Sequence, residues 1–282
     1  MAAKKPTKSS RERAEAARRA SEANLQRQLK RQRNVTIGIV AGVVAVVAAA
    51  VGITWYLISG VGTEGQLAEA DVVVYDSGEL VTPSVVSEGG GIRVGQDGIA
   101  GGSPAPEGAV RVDLYEDLLC PACRAFEGVN GEDLARLRAE GAIELYVHPI
   151  AILDRLSDGG FYSTRAAAAV YTIAEYSPEH FEAFFTALYV AQPPEFTKGL
   201  TNTEIAEIAA AAGASQDAID KIAEGEFTRY VAAATEQSSI DGVRGTPTVF
   251  LNEVTYEGGW NIPGQLASDI GLLATAGAAP QE

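Results

Sequence analysis

Val110-Arg111-Val112-Asp113-Leu114-Tyr115-Glu116-Asp117-Leu118-Leu119-Cys120-Pro121-Ala122-Cys123 decides how this chain is read. Its last four residues hold the only two cysteines in 282 residues, spaced C-x-x-C. Val110–Tyr115 is strand-like, and a helix-compatible run leads out from Pro121 to about Arg138. A cysteine at such a junction has the positive end of a helix dipole and free amide groups beside it, which favour a thiolate. Pro121 suits the first helical position because it lacks the amide donor that would go unsatisfied there. Cys120 is therefore expected to be the low-pKa attacking thiol. Cys123, one turn further in, is expected to be the buried resolving thiol.

Other uses of the pair fit less well. A zinc site takes about four ligands, and only His148 and His180 remain to help. A single-chain iron–sulfur cluster needs more cysteines. A purely structural bridge across C-x-x-C constrains little chain entropy. The chemistry calls for no metal and no cofactor.

Charge divides the chain. Residues 1–34 carry eleven Lys or Arg against three Glu, a net of +8, whereas residues 60–282 carry eleven against thirty-four Asp or Glu, a net of −23. An acidic domain of this kind repels phosphate backbones, which argues against nucleic-acid binding. No charge occurs between Arg33 and Glu64, and residues 35–58 are rich in Val, Ala, Ile and Gly. That run is long enough to cross a ~30 Å hydrocarbon layer as one helix. Lys30, Arg31 and Arg33 at its start and Trp55 and Tyr56 near its end predict an uncleaved anchor with a cytoplasmic N-terminus. It is longer than the apolar core of a cleaved signal peptide. The acidic domain is then expected outside the cell membrane, where disulfides persist.

The remaining organisation follows from periodicity and punctuation. Residues 1–34 are expected to be a solvated basic tail and residues 59–108 a linker with short strands at Val72–Tyr75 and Ile92–Val94. After strand Val110–Tyr115 comes a helix expected to soften at Gly128 and Gly131, then a strand over Ile143–Val147 ending near His148-Pro149. Four helices are expected across an insertion of about 160–241. Ser163, Ser177-Pro178, Thr201 and Ser215 supply their start signals. The stripe Phe181, Phe184, Phe185 and Leu188 reads as a packing face. Strands Thr248–Leu251 and Val254–Tyr256 flank an Asn252-Glu253 turn, and a last helix starts near Gln265. Residues 277–282 are a tail.

The order β-α-β, helices, β-β-α, with C-P-A-C after its first strand and Gly245-Thr246-Pro247-Thr248 before its third, resembles a thioredoxin-like α/β fold with an inserted helical domain. In particular it resembles the membrane-anchored DsbA-like thiol-disulfide oxidoreductases of actinobacterial type, over residues 109–276. The resemblance implies a redox disulfide Cys120–Cys123, an active-site loop through Pro121 and Ala122, and a cis-Pro247 that contacts substrate together with Thr246. It departs from the family pattern in two places. Leu114 stands where thioredoxin-like enzymes commonly have a buried acid, and Ala122 stands where strongly oxidising relatives have histidine. Glu116 and Asp117 are the candidates for proton transfer, the alternative being a solvated turn.

The expected activity is oxidation of cysteine pairs in exported proteins, and the resemblance implies that electrons pass to a quinone-linked membrane partner of the DsbB or vitamin K epoxide reductase-like type. A reductase or isomerase on the same fold is the first alternative. A non-enzymatic anchored binding domain is the second.

Overall fold

The computed structural model describes residues 80–87 and 89–277. The expected basic tail, anchor and Val72–Tyr75 strand lie outside the described residues. Among the described residues no helix is long and apolar enough to cross a membrane.

Five strands form one sheet in the order β1-β3-β2-β4-β5. They are β1 (Ile92–Val94), β2 (Val110–Glu116), β3 (Ile143–Pro149), β4 (Thr248–Leu251) and β5 (Val254–Thr255). The central pair, β2 and β3, is parallel, with Leu114 opposite Val147, and helix α1 (Pro121–Ala139) crosses between them. β1 pairs antiparallel with β3, so this short piece of the expected linker is an edge of the sheet itself. Its outer residues Ile92 and Val94 are buried, which is what gives three residues a fixed register.

Gly128 and Gly131 do not soften α1, which runs unbroken for 19 residues. Each glycine costs only about 1 kcal/mol relative to alanine. Burial of Cys123, Phe126, Leu134 and Leu137 on the same helix outweighs that. Gly141 (φ 73°) ends it, and a side chain there would strike Pro106.

The insertion holds five helices rather than four: α2 (Tyr162–Tyr176), α3 (Phe181–Val190), α4 (Asn202–Ala211), α5 (Gln216–Glu224) and α6 (Thr228–Ile240). The extra break comes where Gly225 (φ 75°) caps α5 and Phe227 (φ 66°) starts α6 from the left-handed region. Phe227 buries its ring against Tyr176 there, an anchor that helical periodicity does not reveal. Thr201 and Ser215 cap α4 and α5 as their sequence predicts, Thr201 in a full capping box with Glu204. α2 is buried on nearly every side and forms the centre of the insertion. Helix α7 (Gln265–Gly277) closes the fold.

Candidate active site

Cys120 is the N-cap of α1 with extended backbone (φ −73°, ψ 117°), and Pro121 occupies the first turn. The Thr246–Pro247 peptide is cis and faces this turn, with the Cys120 Sγ 3.3 Å from the Thr246 carbonyl oxygen. Both thiols are free. The neutral Cys120 thiol donates to that carbonyl. Its ionised form is favoured first by the Cys123 thiol, then by the Thr246 side chain and the amides of Cys123 and Ala122. These outweigh burial and bring the Cys120 thiol down to about 6. Cys123 goes the other way. Burial, then the Cys120 thiol and the nearby Glu116, push it far above its ordinary value. One thiol is a ready nucleophile and the other stays protonated.

Glu116 and Asp117 are not a solvated turn; both are fully buried. The reason lies in the strand. Side chains alternate faces along β2, so Glu116 lies on the same face as Leu114, two residues nearer the dithiol. The acid absent at Leu114 has thus moved along the strand without leaving the face that α1 covers. Neither Glu116 oxygen has a hydrogen-bond partner, and neither does the neighbouring Tyr189 hydroxyl. Burial first, then Glu127 and Cys120, hold the Glu116 carboxyl well above the usual carboxylate range.

Asp117 has a different task. Its Oδ1 accepts from the Leu119 amide at 2.9 Å and from the Ser163 hydroxyl at 2.7 Å, and its Oδ2 accepts from the Leu153 amide at 2.9 Å. Ser163 therefore braces Asp117 instead of capping α2, whose N-cap is Phe161. Burial raises Asp117 to about 7 despite these bonds. With its oxygens committed, it ties the active-site turn to the insertion, and Glu116 remains the free acid at the dithiol.

Two further residues contribute from outside the motif. Gln192, just after α3, donates through Nε2 to the carbonyls of Leu118 (2.9 Å) and Cys120 (3.0 Å). Nothing in its local sequence marks it. Glu127 lies one helical turn beyond Cys123 on the same face of α1, a spacing that could have found it. Burial, and then Glu182, raise it to about 7. His148 lies on the other face of the sheet. There its Nε2 is 2.9 Å from Asp113 and its ring stacks on Tyr115.

The sequence model of the family described as Thioredoxin matches residues 96–262. The chain belongs to the thioredoxin family. Within this family, the reduced disulfide bond oxidoreductase DsbG from Mycobacterium tuberculosis is 32% identical to it with a TM-score of 0.56. The match covers 69% of this chain and 95% of that one. Reduced DsbA from Mycobacterium tuberculosis is 30% identical with a TM-score of 0.55, over 67% of this chain and 97% of that one. A curated relative, the serine/threonine-protein kinase PknE of Mycobacterium tuberculosis H37Rv, is 29% identical over 187 residues. Those residues are 64% of this chain but 32% of the kinase, so the chain spans about a third of that relative's length. The chain is thus a thiol-disulfide oxidoreductase of the DsbA type within the thioredoxin family.

Proposed function

We propose that this enzyme oxidises cysteine pairs of exported proteins, using the Cys120–Cys123 disulfide as oxidant, from a domain anchored outside the cell membrane by residues 35–58. The supporting observation is the opposed ionisation of the two thiols. Whatever stabilises the reduced form of a dithiol makes its disulfide more oxidising. Lowering Cys120 from 9.0 to about 6 favours the reduced enzyme. At pH 7 this is worth about 1.4 kcal/mol, or ~30 mV for a two-electron couple. The effect favours the oxidising direction and is modest in size, which fits a mild oxidant with Ala122 in the loop.

A substrate thiolate attacks Cys120 Sγ in the oxidised enzyme, the Cys120–Cys123 bond breaks, and Cys123 leaves with the electron pair. Burial holds the Glu116 carboxyl well above the usual carboxylate range, and it lies beside Cys123, so it supplies the proton that the departing thiolate takes up. A second substrate thiolate then attacks its partner's sulfur in the mixed disulfide and releases Cys120 as thiolate. The substrate has lost two electrons and the enzyme holds them as a dithiol, to be returned to a quinone-linked membrane partner. Thr246 and the cis-Pro247 form the wall against which the substrate backbone is held, and Asp117 and Gln192 keep the turn in place.

The equilibrium reduction potential of Cys120–Cys123 against glutathione tests the direction. A value well above thioredoxin's ~−270 mV is expected, and one near or below it would overturn the oxidase in favour of a reductase.

A further inference from the structure

Helices α1 and α3 lie side by side over the same face of the sheet and leave a trough of about 690 Å³ between them. Leu114, Leu145 and Val147 form its apolar floor. On the α3 side, Phe181, Phe185 and Tyr189 recur every fourth residue, with ring centroids 5.8 and 5.2 Å apart along the series. The aromatic stripe read from sequence as plain packing therefore has two edges. All five of Phe181, Phe184, Phe185, Leu188 and Tyr189 are buried in the core, and Phe181, Phe185 and Tyr189 also line the trough.

On the α1 side the wall is cut away at Gly128 and Gly131. Neither glycine is required by packing. A side chain at 128 would meet nothing within 4 Å, and one at 131 only the movable carboxylate of Glu127. Two glycines inside a helix cost about 1 kcal/mol each, and here their effect is to keep the trough open. The trough also holds polar groups. The Tyr189 hydroxyl is buried and lines the trough, with the Glu116 carboxyl as its polar neighbour. Glu127 and Glu132 line it without an ion-pair partner among the described residues, while Glu182 is bound to Arg138 at 2.7 Å. Arg124 stands at the end nearest the dithiol.

We propose that this trough is a second binding site for the polypeptide substrate, taking an extended apolar segment that carries a lysine or arginine. The inference rests on the polypeptide substrate of the proposed function and adds to it the kind of sequence that is recognised. Length supports a peptide. From Arg124 to Ala135 the helix wall runs about 16 Å, the span of about five extended residues. Charge supports the cation. Glu127, whose carboxyl burial and Glu182 hold up at about 7 and which has no ion-pair partner among the described residues, favours an ammonium or guanidinium group over another acid. Position supports the substrate, since the trough begins one turn from Cys120 and draws a chain along α1 once its cysteine reaches the active-site turn.

The test uses the full-length chain in phosphatidylcholine nanodiscs and a labelled, cysteine-free octapeptide of leucine and valine with one central lysine, followed by fluorescence anisotropy against empty nanodiscs. Saturable binding is expected, at least tenfold weaker when norleucine replaces the lysine. Gly131→Leu, which fills the trough and improves the helix, is expected to weaken binding at least tenfold, and Thr186→Trp, entering from α3, to do the same. Glu127→Gln is expected to remove the preference for lysine over norleucine. Absence of saturable binding would overturn the proposal, as would binding that both filling variants leave unchanged. Equal binding of a long-chain alkylamine would overturn it in favour of a small amphiphile. Because the peptide has no cysteine, failure here is separate from failure of the oxidase reading, which the reduction potential decides.

Discussion

The two faces of β2 bury carboxylates in opposite ways. On the face away from α1, Asp113 is bound by Arg111 at 2.6 Å and by His148 at 2.9 Å. On the face beneath the dithiol, three residues further on, Glu116 is buried more deeply still and makes no hydrogen bond. Burial alone would raise both. At Asp113 the bonds from His148 and Arg111 overcome it and hold the carboxyl below its usual value, whereas at Glu116 burial wins. A satisfied buried charge holds structure together. An unsatisfied one, beside a cysteine whose proton must come and go, is kept for chemistry at a cost in stability.

The comparison can be broken at several points, and the largest expected effect lies at the dithiol. Cys120→Ser removes the nucleophile and is expected to abolish dithiol oxidation, a loss of at least about 10³-fold, with the fold intact by circular dichroism. Full retention of activity would show the dithiol to be incidental. Glu116→Gln keeps the shape and removes the proton. Breakage of the Cys120–Cys123 bond by a reduced peptide, followed by stopped-flow fluorescence, should slow about 100-fold. A change below twofold would leave Glu116 without a role in proton transfer.

Asp113→Asn should act on stability instead. Breaking a buried pair costs about 3–5 kcal/mol, and the partial exposure of Arg111 reduces the expected loss to about 2 kcal/mol in urea unfolding. The thiol reactions should stay within about twofold of the unaltered chain, since His148 and Arg111 do not reach the dithiol face.

The two carboxylates also impose opposite pH dependence. Asp113 has a lowered folded pKa, so its contribution is present above the unfolded value of ~3.9 and is lost as pH falls through the folded one. Glu116 has a raised folded pKa, so its contribution is present below ~4.3 and is lost as pH rises towards the folded value. Unfolding free energy measured from pH 5 to 8 should therefore fall less steeply in Glu116→Gln than in the unaltered chain. The finest test is the alkylation rate of Cys120 against pH. It should rise through a midpoint of about 6, because only the thiolate reacts. A midpoint near 8.5 would remove the basis of the oxidase proposal.

Much of this site was legible from the chain alone. C-P-A-C at a strand-to-helix junction gave the two thiols and their order of burial, because the helix terminus that favours a thiolate is a local feature. Thr246-Pro247 was found through its family resemblance. The Asn252-Glu253 hairpin turn, with both residues at positive φ, and the Thr201 and Ser215 caps were legible because they too are made by neighbours in sequence. What sequence missed was made at a distance. Gln192 reaches the carbonyl of Cys120 across 72 residues, and Asp117 finds its donors at Leu153 and Ser163. The start of α6 at Phe227 depends on an aromatic partner on another helix.

The sequence by itself determined the chemistry: a dithiol at a helix N-terminus, an α/β frame around it and a helical insertion between β3 and β4. Tertiary structure alone decided which acid serves that dithiol and which merely braces it. Adjacent acids look alike in sequence, yet Glu116 ends β2 on the dithiol face while Asp117, one residue past the strand, turns to the loop and insertion. Asp117 meets three donors there, and Glu116 meets a cysteine and none. Whether a buried carboxylate braces the fold or stays free for proton transfer depends on those partners, and folding supplies them from distant parts of the chain.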